Sequence, residues 1–211
     1  MKIEENFDLS SLMVNYSAAL KILKTELEIL SDEFEYSHKY NPIEHIKCRI
    51  KSYDSIMDKL ERKGLDKNIN NIIEYVNDVV GVRVVCSFLP DVYEIVNIIQ
   101  KSKTLKIIEE EDYIKDPKDS GYSSYHLIVS VPVPLSIGTV YVKAEIQIRT
   151  VAMDFWASLD HKISYKFPQP DALPAEVYEE LKNSSDVIKQ LDKKMAHLVG
   201  IVNDIRTKED E

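Results

Sequence analysis

Between residues 140 and 149 the side chains alternate without interruption. Val140, Val142, Ala144, Ile146 and Ile148 take one parity, and Tyr141, Lys143, Glu145, Gln147 and Arg149 take the other. Successive side chains of a β-strand point to opposite faces, whereas a helix would scatter both sets around its circumference. The segment therefore predicts a strand with one face to bury and one face that meets water or a ligand. About twenty residues earlier, the run Lys118-Asp119-Ser120-Gly121-Tyr122-Ser123-Ser124-Tyr125-His126 supplies a glycine-bearing turn with a cation and an aromatic ring. Together the two segments make an assembly suited to a nucleotide and its phosphates.

The other elements follow from periodicity and breakers. Leu9, Leu12, Tyr16, Leu20, Leu23, Leu27, Leu30 and Phe34 recur every three or four positions, which predicts a long helix over 9–36 with Asp8 as its N-cap. A break at Pro42 leads to a basic helix over 53–62, ended by Gly64, and a short helix over 69–77. The β-branched run Val79 to Phe88 reads as a buried strand, and Pro90 followed by Val92, Ile95, Val96 and Ile99 opens the next helix. Strands are expected over 104–109, 125–133 and 139–149, then a helix from Thr150 to Lys166 that packs Ala152, Phe155, Trp156, Leu159 and Ile163 into the core. Phe167-Pro168-Gln169-Pro170 reads as a linker. A last helix over 174–206 carries a heptad seam of Val177, Leu181, Ser184, Ile188, Leu191, Met195, Leu198, Val202 and Ile205. The whole predicts an α+β fold, a central mixed β-sheet flanked by helices with long N- and C-terminal helices.

Charge narrows the partners. A net charge of −9 argues against a chain that grips long nucleic acid, which relies on a broad basic surface. A small polyanion needs only a local patch, and residues 45–63 supply Lys47, Arg49, Lys51, Lys59, Arg62 and Lys63. Acid elsewhere then confines the positive field to one place. Cys48 and Cys86 stand in no metal-ligand or redox spacing and read as reduced, structural thiols. No apolar run is long enough to cross a bilayer, and the opening Met-Lys-Ile-Glu-Glu-Asn lacks the basic-then-apolar order of a secretory signal. A cytosolic protein is expected.

Two charges sit oddly in the buried run. Arg83 lies inside it, so it either pairs with a core carboxylate or turns its planar guanidinium to a base or a phosphate. Asp78 stands just before it, either as a turn residue or, with Glu145, as one of two carboxylates around a divalent cation at the strand-edge cleft. Taken alone, Tyr122 reads first as a turn aromatic and second as a stacking ring, and His126 first as a core histidine and second as a ligand contact.

Five segments in order carry a resemblance. They are Arg49-Ile50-Lys51-Ser52, Asp78-Val79-Val80-Gly81-Val82-Arg83-Val84, Lys118 through His126, Glu145-Ile146-Gln147-Ile148-Arg149-Thr150, and Met153-Asp154-Phe155-Trp156-Ala157 followed by Asp160-His161-Lys162. Their sequence and spacing resemble the successive motifs of the RelA/SpoT-type (p)ppGpp synthetase family. With no hydrolase domain before them and no regulatory domains after them, the chain resembles a single-domain small alarmone synthetase. The resemblance implies a nucleotidyltransferase-like sheet and an Mg²⁺-dependent transfer of the β,γ-pyrophosphate of ATP to the ribose 3′-hydroxyl of GTP or GDP, releasing AMP. It implies that Arg49 and Arg83 sandwich the adenine, and that Lys51, Ser52 and Lys59 meet the ATP phosphates. Asp78 and Glu145 hold Mg²⁺, and Glu145 also orients and deprotonates the 3′-hydroxyl. Tyr122 stacks on guanine, Lys118 and His126 lie near the acceptor's phosphates, and Gln147 and Asp154 position the acceptor. The chain then divides into an N-terminal helical extension (1–40), the catalytic domain (41–168) and a C-terminal oligomerisation helix (171–211).

Small synthetases of this type are commonly tetramers built through their terminal helices, so a homo-oligomer is expected. The chain departs from the family pattern at Ser123, where Arg or Gln is frequent, at Tyr125, where Leu is frequent, and at Asp154, where Asn also occurs. These departures leave open the preference among GTP, GDP and GMP. Two rival readings are a toxin-like relative that modifies the 3′ end of tRNA, disfavoured by the acidic balance, and a catalytically silent guanine-nucleotide sensor, disfavoured by Asp78 and Glu145.

Overall fold

The computed structural model describes residues 2–38, 40–164 and 173–209. In chain order these form α1 (Lys2–Ser37), β1 (Ile43–Ile50), α2 (Tyr53–Arg62), α3 (Ile69–Tyr75), β2 (Val80–Cys86), α4 (Leu89–Gln100), β3 (Lys106–Asp112), β4 (Tyr125–Leu135), β5 (Gly138–Thr150), α5 (Val151–Ser164) and α6 (Ala175–Glu209). The five strands make one mixed sheet in the order β1-β2-β5-β4-β3. β2 and β5 run parallel at its centre, and the other neighbours run antiparallel. The expected α+β architecture is therefore the observed one. The expected Phe167–Pro170 linker and the end of the preceding helix at Lys166 lie outside the described residues.

The alternation of β5 decides which way the sheet faces. Val142, Ala144, Ile146 and Ile148 are buried with Val80, Val82 and Val84 of β2 and Leu127, Val129 and Val131 of β4. Onto this apolar face pack Tyr16, Leu23, Leu27 and Phe34 of α1 and Val92, Ile95, Val96 and Ile99 of α4, all in one core cluster. With two helices on the apolar face, the opposite face of β1, β2 and β5 stays open for polar side chains. α5 and α6 close one end of it, where Met153 and Trp156 are buried and the Trp156 indole N–H donates to the Leu181 carbonyl at 3.0 Å.

The structure corrects several expectations. β1 has no counterpart among the expected strands, although Ile46, Cys48 and Ile50 alternate with Lys47 and Arg49; the basic composition hides a strand of period two. α1 begins at Lys2, so Asp8 lies within the helix and does not cap it. Lys2, Glu4 and Glu5 are good helix formers, and no breaker separates them from the apolar stripe. Phe155 and Leu159, expected in the core, are 60% and 40% exposed, because only the Met153/Trp156 side of α5 meets the sheet.

The heptad seam of α6 also divides. Leu181 and Ile188 are partly buried, but the face that meets the rest of the chain includes the buried polar residues Ser185 and Asp192. Leu191, Met195, Leu198, Val202 and Ile205 point to solvent. Cys48 and Cys86 are free thiols, as expected, and burial pushes both up from the ordinary range.

Candidate active site

Strand register assembles the polar face. Lys47 of β1 lies opposite Arg83 of β2, Arg83 opposite Gln147 of β5, and Gln147 opposite His126 of β4. One row over, Arg49 lies opposite Gly81, and Gly81 opposite Glu145. Directly paired residues project to the same face. Residues far apart in sequence thus line one cleft of about 180 Å³ bounded by Lys47, Arg49, Gly81, Arg83, Glu145 and Gln147.

Asp78 sits at the mouth of β2 between two cations. Lys51, just past β1, donates to Asp78 Oδ2 at 2.7 Å, and Lys59 of α2 donates to Oδ1 at 2.8 Å. Lys51 is fixed there by its backbone N–H on the Val79 carbonyl, and Lys59 by a helix that Ser52 caps through the Ser55 N–H. Burial works to raise the Asp78 carboxyl, but the two lysines outweigh it and hold it below the usual carboxylate range. Ser52 is therefore placed beside the lysines, with its hydroxyl engaged by α2.

Glu145 is anchored from both sides. His126 Nδ1 lies 3.2 Å from Glu145 Oε1, and Gln147 Nε2 donates to Oε2 at 2.8 Å. Burial pushes Glu145 up, the charge of Asp78 adds to that push, and the His126 and Gln147 contacts reverse it, so the group lies below its ordinary range. Asp78 stands two residues before Val80, which pairs with Ala144, so the two carboxylates lie at the same end of the β2–β5 pair.

The chain continues through His126 to the turn. His126 Nε2 is 2.7 Å from the Tyr122 hydroxyl, which also accepts from Arg149 Nη2 at 2.5 Å. Arginine only donates, so for a neutral imidazole the Tyr122 proton points to Nε2 and the Nδ1 proton points to Glu145. Gly121 makes the turn possible with φ +90°, a left-handed conformation that costs glycine little. Lys118 closes it, with its ammonium 4.4 Å from the centroid of Tyr113 and 5.4 Å from that of Tyr122. Tyr113 meets both Tyr122 and His126 edge to face.

Asp154, in the first turn of α5, is the anion of the opposite wall. Its Oδ1 accepts from Arg83 at 2.9 Å and Arg149 at 3.3 Å, and its Oδ2 lies 3.7 Å from Lys47 and 3.9 Å from His45. Arg83 thus has the carboxylate partner that a buried cation requires and still faces the cleft. Burial, then the nearby Arg149 charge, pull Arg83 below its ordinary value.

All twelve residues expected from sequence therefore fall on the polar face or at its rim. From sequence, Lys47 is legible only as part of the basic patch and Arg149 only as part of the polar parity of its strand, and His45 and Tyr113 carry no signal there. The parity that Lys47 shares with Arg49, and Arg149 with Glu145, is what places both in the site. Ser123 is buried with its hydroxyl unpartnered, turned away from the cleft toward Met153, Trp156 and Ser185.

Among the described residues no three His, Cys, Asp or Glu side chains converge to hold a metal by themselves. Two neighbouring carboxylates do fit Mg²⁺ as it binds nucleotides, where the protein supplies one or two carboxylates and phosphates and waters complete the shell.

Residues 48–169 match the family model described as a region found in RelA / SpoT proteins. The chain is 47% identical over 180 residues to GTP pyrophosphokinase YwaC of Bacillus subtilis (strain 168), covering 85% of each chain. Among solved structures, small alarmone synthetase 2 from B. subtilis superposes with a TM-score of 0.82 at 44% identity, over 92% of this chain and 98% of that one. Small alarmone synthetase 1 from B. subtilis, bound to its product pppGpp, superposes with a TM-score of 0.85 at 33% identity over the same shares.

Proposed function

The chain belongs to the RelA/SpoT family, and from that premise we propose that it is a (p)ppGpp synthetase of the small alarmone type. It transfers pyrophosphate from ATP to the 3′-hydroxyl of GTP or GDP. The 3′-oxygen attacks the β-phosphorus of ATP, and the bond from that phosphorus to the oxygen bridging the α-phosphorus breaks. AMP leaves with the bridging oxygen. The observation that carries the reading is the pairing of the His126- and Gln147-anchored Glu145 with the lysine-clamped Asp78, beside a cleft walled by Arg49 and Arg83.

The roles divide by position. Arg49 and Arg83 hold the adenine between their guanidinium planes, a task suited to flat, delocalised cations. Lys51 and Lys59, with Ser52, take the ATP phosphates; Asp78 holds both ammonium groups at that place. Tyr122 stacks on guanine, and Lys118 leaves its aromatic rest to join His126 at the acceptor's phosphates. Gln147 and Asp154 position the acceptor. Glu145 receives the 3′-hydroxyl proton. Its low proton affinity keeps it ionised in the free enzyme, and the arriving polyphosphate raises that affinity when the proton must be taken. Asp78 and Glu145 hold Mg²⁺, which supplies countercharge to the phosphoryl oxygens when bound.

Residues 41–168 carry this chemistry, flanked by an extension of 1–40 that contains α1 and a segment of 171–211 that contains α6. The solvent-facing Leu191, Met195, Leu198, Val202 and Ile205 of α6 support a homo-oligomer, a tetramer, joined through the terminal helices. Among the described residues no helix is long and apolar enough to cross a membrane; free nucleotide substrates support a cytoplasmic enzyme. The test is incubation with labelled ATP and Mg²⁺ and, separately, GTP, GDP, GMP or deacylated tRNA, with Glu145→Gln as control. Label on a free guanine nucleotide together with AMP, in the wild type only, is the expected result. Label on tRNA alone, or binding without transfer, would overturn it.

A further inference from the structure

Arg149 is the most heavily bonded side chain of the site, and the division of roles above leaves it without one. It is 3% exposed, and every arm of its guanidinium is taken. Nε donates to Ser124 Oγ at 3.3 Å, Nη1 to Asp154 Oδ1 at 3.3 Å, and Nη2 to both the Tyr122 hydroxyl at 2.5 Å and Gln147 Oε1 at 2.8 Å. Its central carbon lies 5.1 Å from the centroid of the Tyr122 ring.

These partners belong to different subsites. Tyr122 is the surface for the acceptor base. Asp154, besides positioning the acceptor, holds Arg83, one of the two walls for adenine. Gln147 holds Glu145, the proton acceptor between them. A guanidinium is a rigid planar fork, so tilting one arm to follow a partner tilts the others. A short, charge-assisted bond to Tyr122 and a carboxylate shared with Arg83 make that tilt costly in a buried setting.

We propose that Arg149 is a positioning residue that couples the two nucleotide subsites, a role that rests on the pyrophosphate-transfer reading of the cleft. Adenine against Arg83 settles Asp154, which sets the plane of Arg149, which sets the Tyr122 hydroxyl and the Gln147–Glu145 pair. The acceptor then meets a ring and a carboxylate already in place. Coupling of this kind is reciprocal, so the acceptor tightens ATP by the same factor.

The test is the dissociation constant of GDP measured by calorimetry with and without saturating AMPCPP, a non-hydrolysable ATP analogue. In the wild type, AMPCPP is expected to tighten GDP by about 5-fold or more. In Arg149→Lys, which keeps the charge and loses the fork, the ratio falls to near one, whatever happens to each affinity separately. Tyr122→Phe, which keeps the ring and loses the hydroxyl, does the same. Lys118→Ala weakens GDP but preserves the ratio, because the Lys118 side chain meets only the ring of Tyr122 and makes no bond to its hydroxyl, Arg149, Gln147 or Asp154. A wild-type ratio near one, or a wild-type ratio retained in both Arg149→Lys and Tyr122→Phe, overturns the coupling role; in the second case any loss of melting temperature marks Arg149 as structural only. Absence of pyrophosphate transfer by the wild type would instead overturn the reading on which the role rests.

Discussion

Gly121→Ala is the sharpest single test of how the acceptor turn is held. A β-carbon at position 121 would stand 2.6 Å from Ser185 Cβ and 2.9 Å from its Oγ, on a backbone with φ +90°. The left-handed conformation costs alanine about 1–3 kcal/mol, and the overlap with α6 costs about 1–3 kcal/mol more. Against this strain of a few kcal/mol the turn is fixed by the Gly121 N–H on the Lys118 carbonyl, the Lys118 N–H on the Tyr122 carbonyl, and the Ser185 hydroxyl on the Gly121 carbonyl. At about 1 kcal/mol each, these bonds give way before α6 does. The turn swings out, and the loss is capped near their sum, about 3 kcal/mol.

Steady-state formation of ppGpp, followed by chromatographic separation of nucleotides, should therefore show kcat/KM for the acceptor falling by up to about 100-fold. KM for ATP should rise by no more than the coupling factor of about 5-fold, since Arg49, Lys51 and Lys59 sit on β1, its end and α2 and only the link through Tyr122 and Arg149 is disturbed. The melting temperature should fall by no more than about 12 °C for a chain of this size. Adding Ser185→Gly removes the overlap but also the hydroxyl's bond to the Gly121 carbonyl, and it leaves the φ strain, so it should recover only part of the loss. Unchanged acceptor kinetics in Gly121→Ala, or a defect confined to ATP, would refute the account.

Other perturbations follow from the charges. Glu145→Gln keeps the size of the side chain but replaces one of its two accepting oxygens with a donor and cannot take the proton, and kcat should fall by at least about 100-fold with the chain still folded. Asp78→Asn should abolish turnover and leave Lys51 and Lys59 facing each other, so the ligand-free protein melts lower; ATP, measured by thermal shift, should restore more stability to this variant than to the wild type. Asp192 is 5% exposed, accepts a hydrogen bond from Thr150, and is raised by burial above its ordinary 3.8. Its ionised form therefore opposes folding at neutral pH, and Asp192→Asn should stabilise by about 1 kcal/mol, or roughly 2–4 °C. That advantage shrinks as pH falls through the raised carboxyl toward its ordinary range, where the wild type is neutral too; a gain that grows on acidification would contradict the sign. Asp78 and Glu145, held below their ordinary values, act oppositely: their contribution is present above the ordinary carboxylate range and is lost as pH falls through their lowered values.

Much of the fold was legible because its strongest signals are local. The alternation of β5, the apolar run of β2 and the stripe of α1 each report one face of one element, and burial followed them. β1 escaped because its exposed parity is cationic and its buried parity includes a cysteine. The site was legible for a related reason: Asp78, Lys118, Tyr122, His126, Glu145 and Gln147 lie in short motifs whose spacing survives in one dimension.

What sequence alone determined was the parity of each strand and the chemical types available on its polar side, since backbone geometry forces alternate side chains apart whatever the neighbours are. Tertiary structure decided which polar groups meet. Only the β1-β2-β5-β4 register brings Lys47, Arg83, Gln147 and His126 into one row, and only the docking of α5 sets Asp154 between Arg83 and Arg149. The same holds for α6, whose heptad pattern reads as one seam. The chain buries Ser185 and Asp192 instead, because Gly121 and Thr150 offer them hydrogen bonds, and it leaves the larger apolar residues facing out. A periodic pattern measures what a face could bury; partners distant in sequence decide what it does bury.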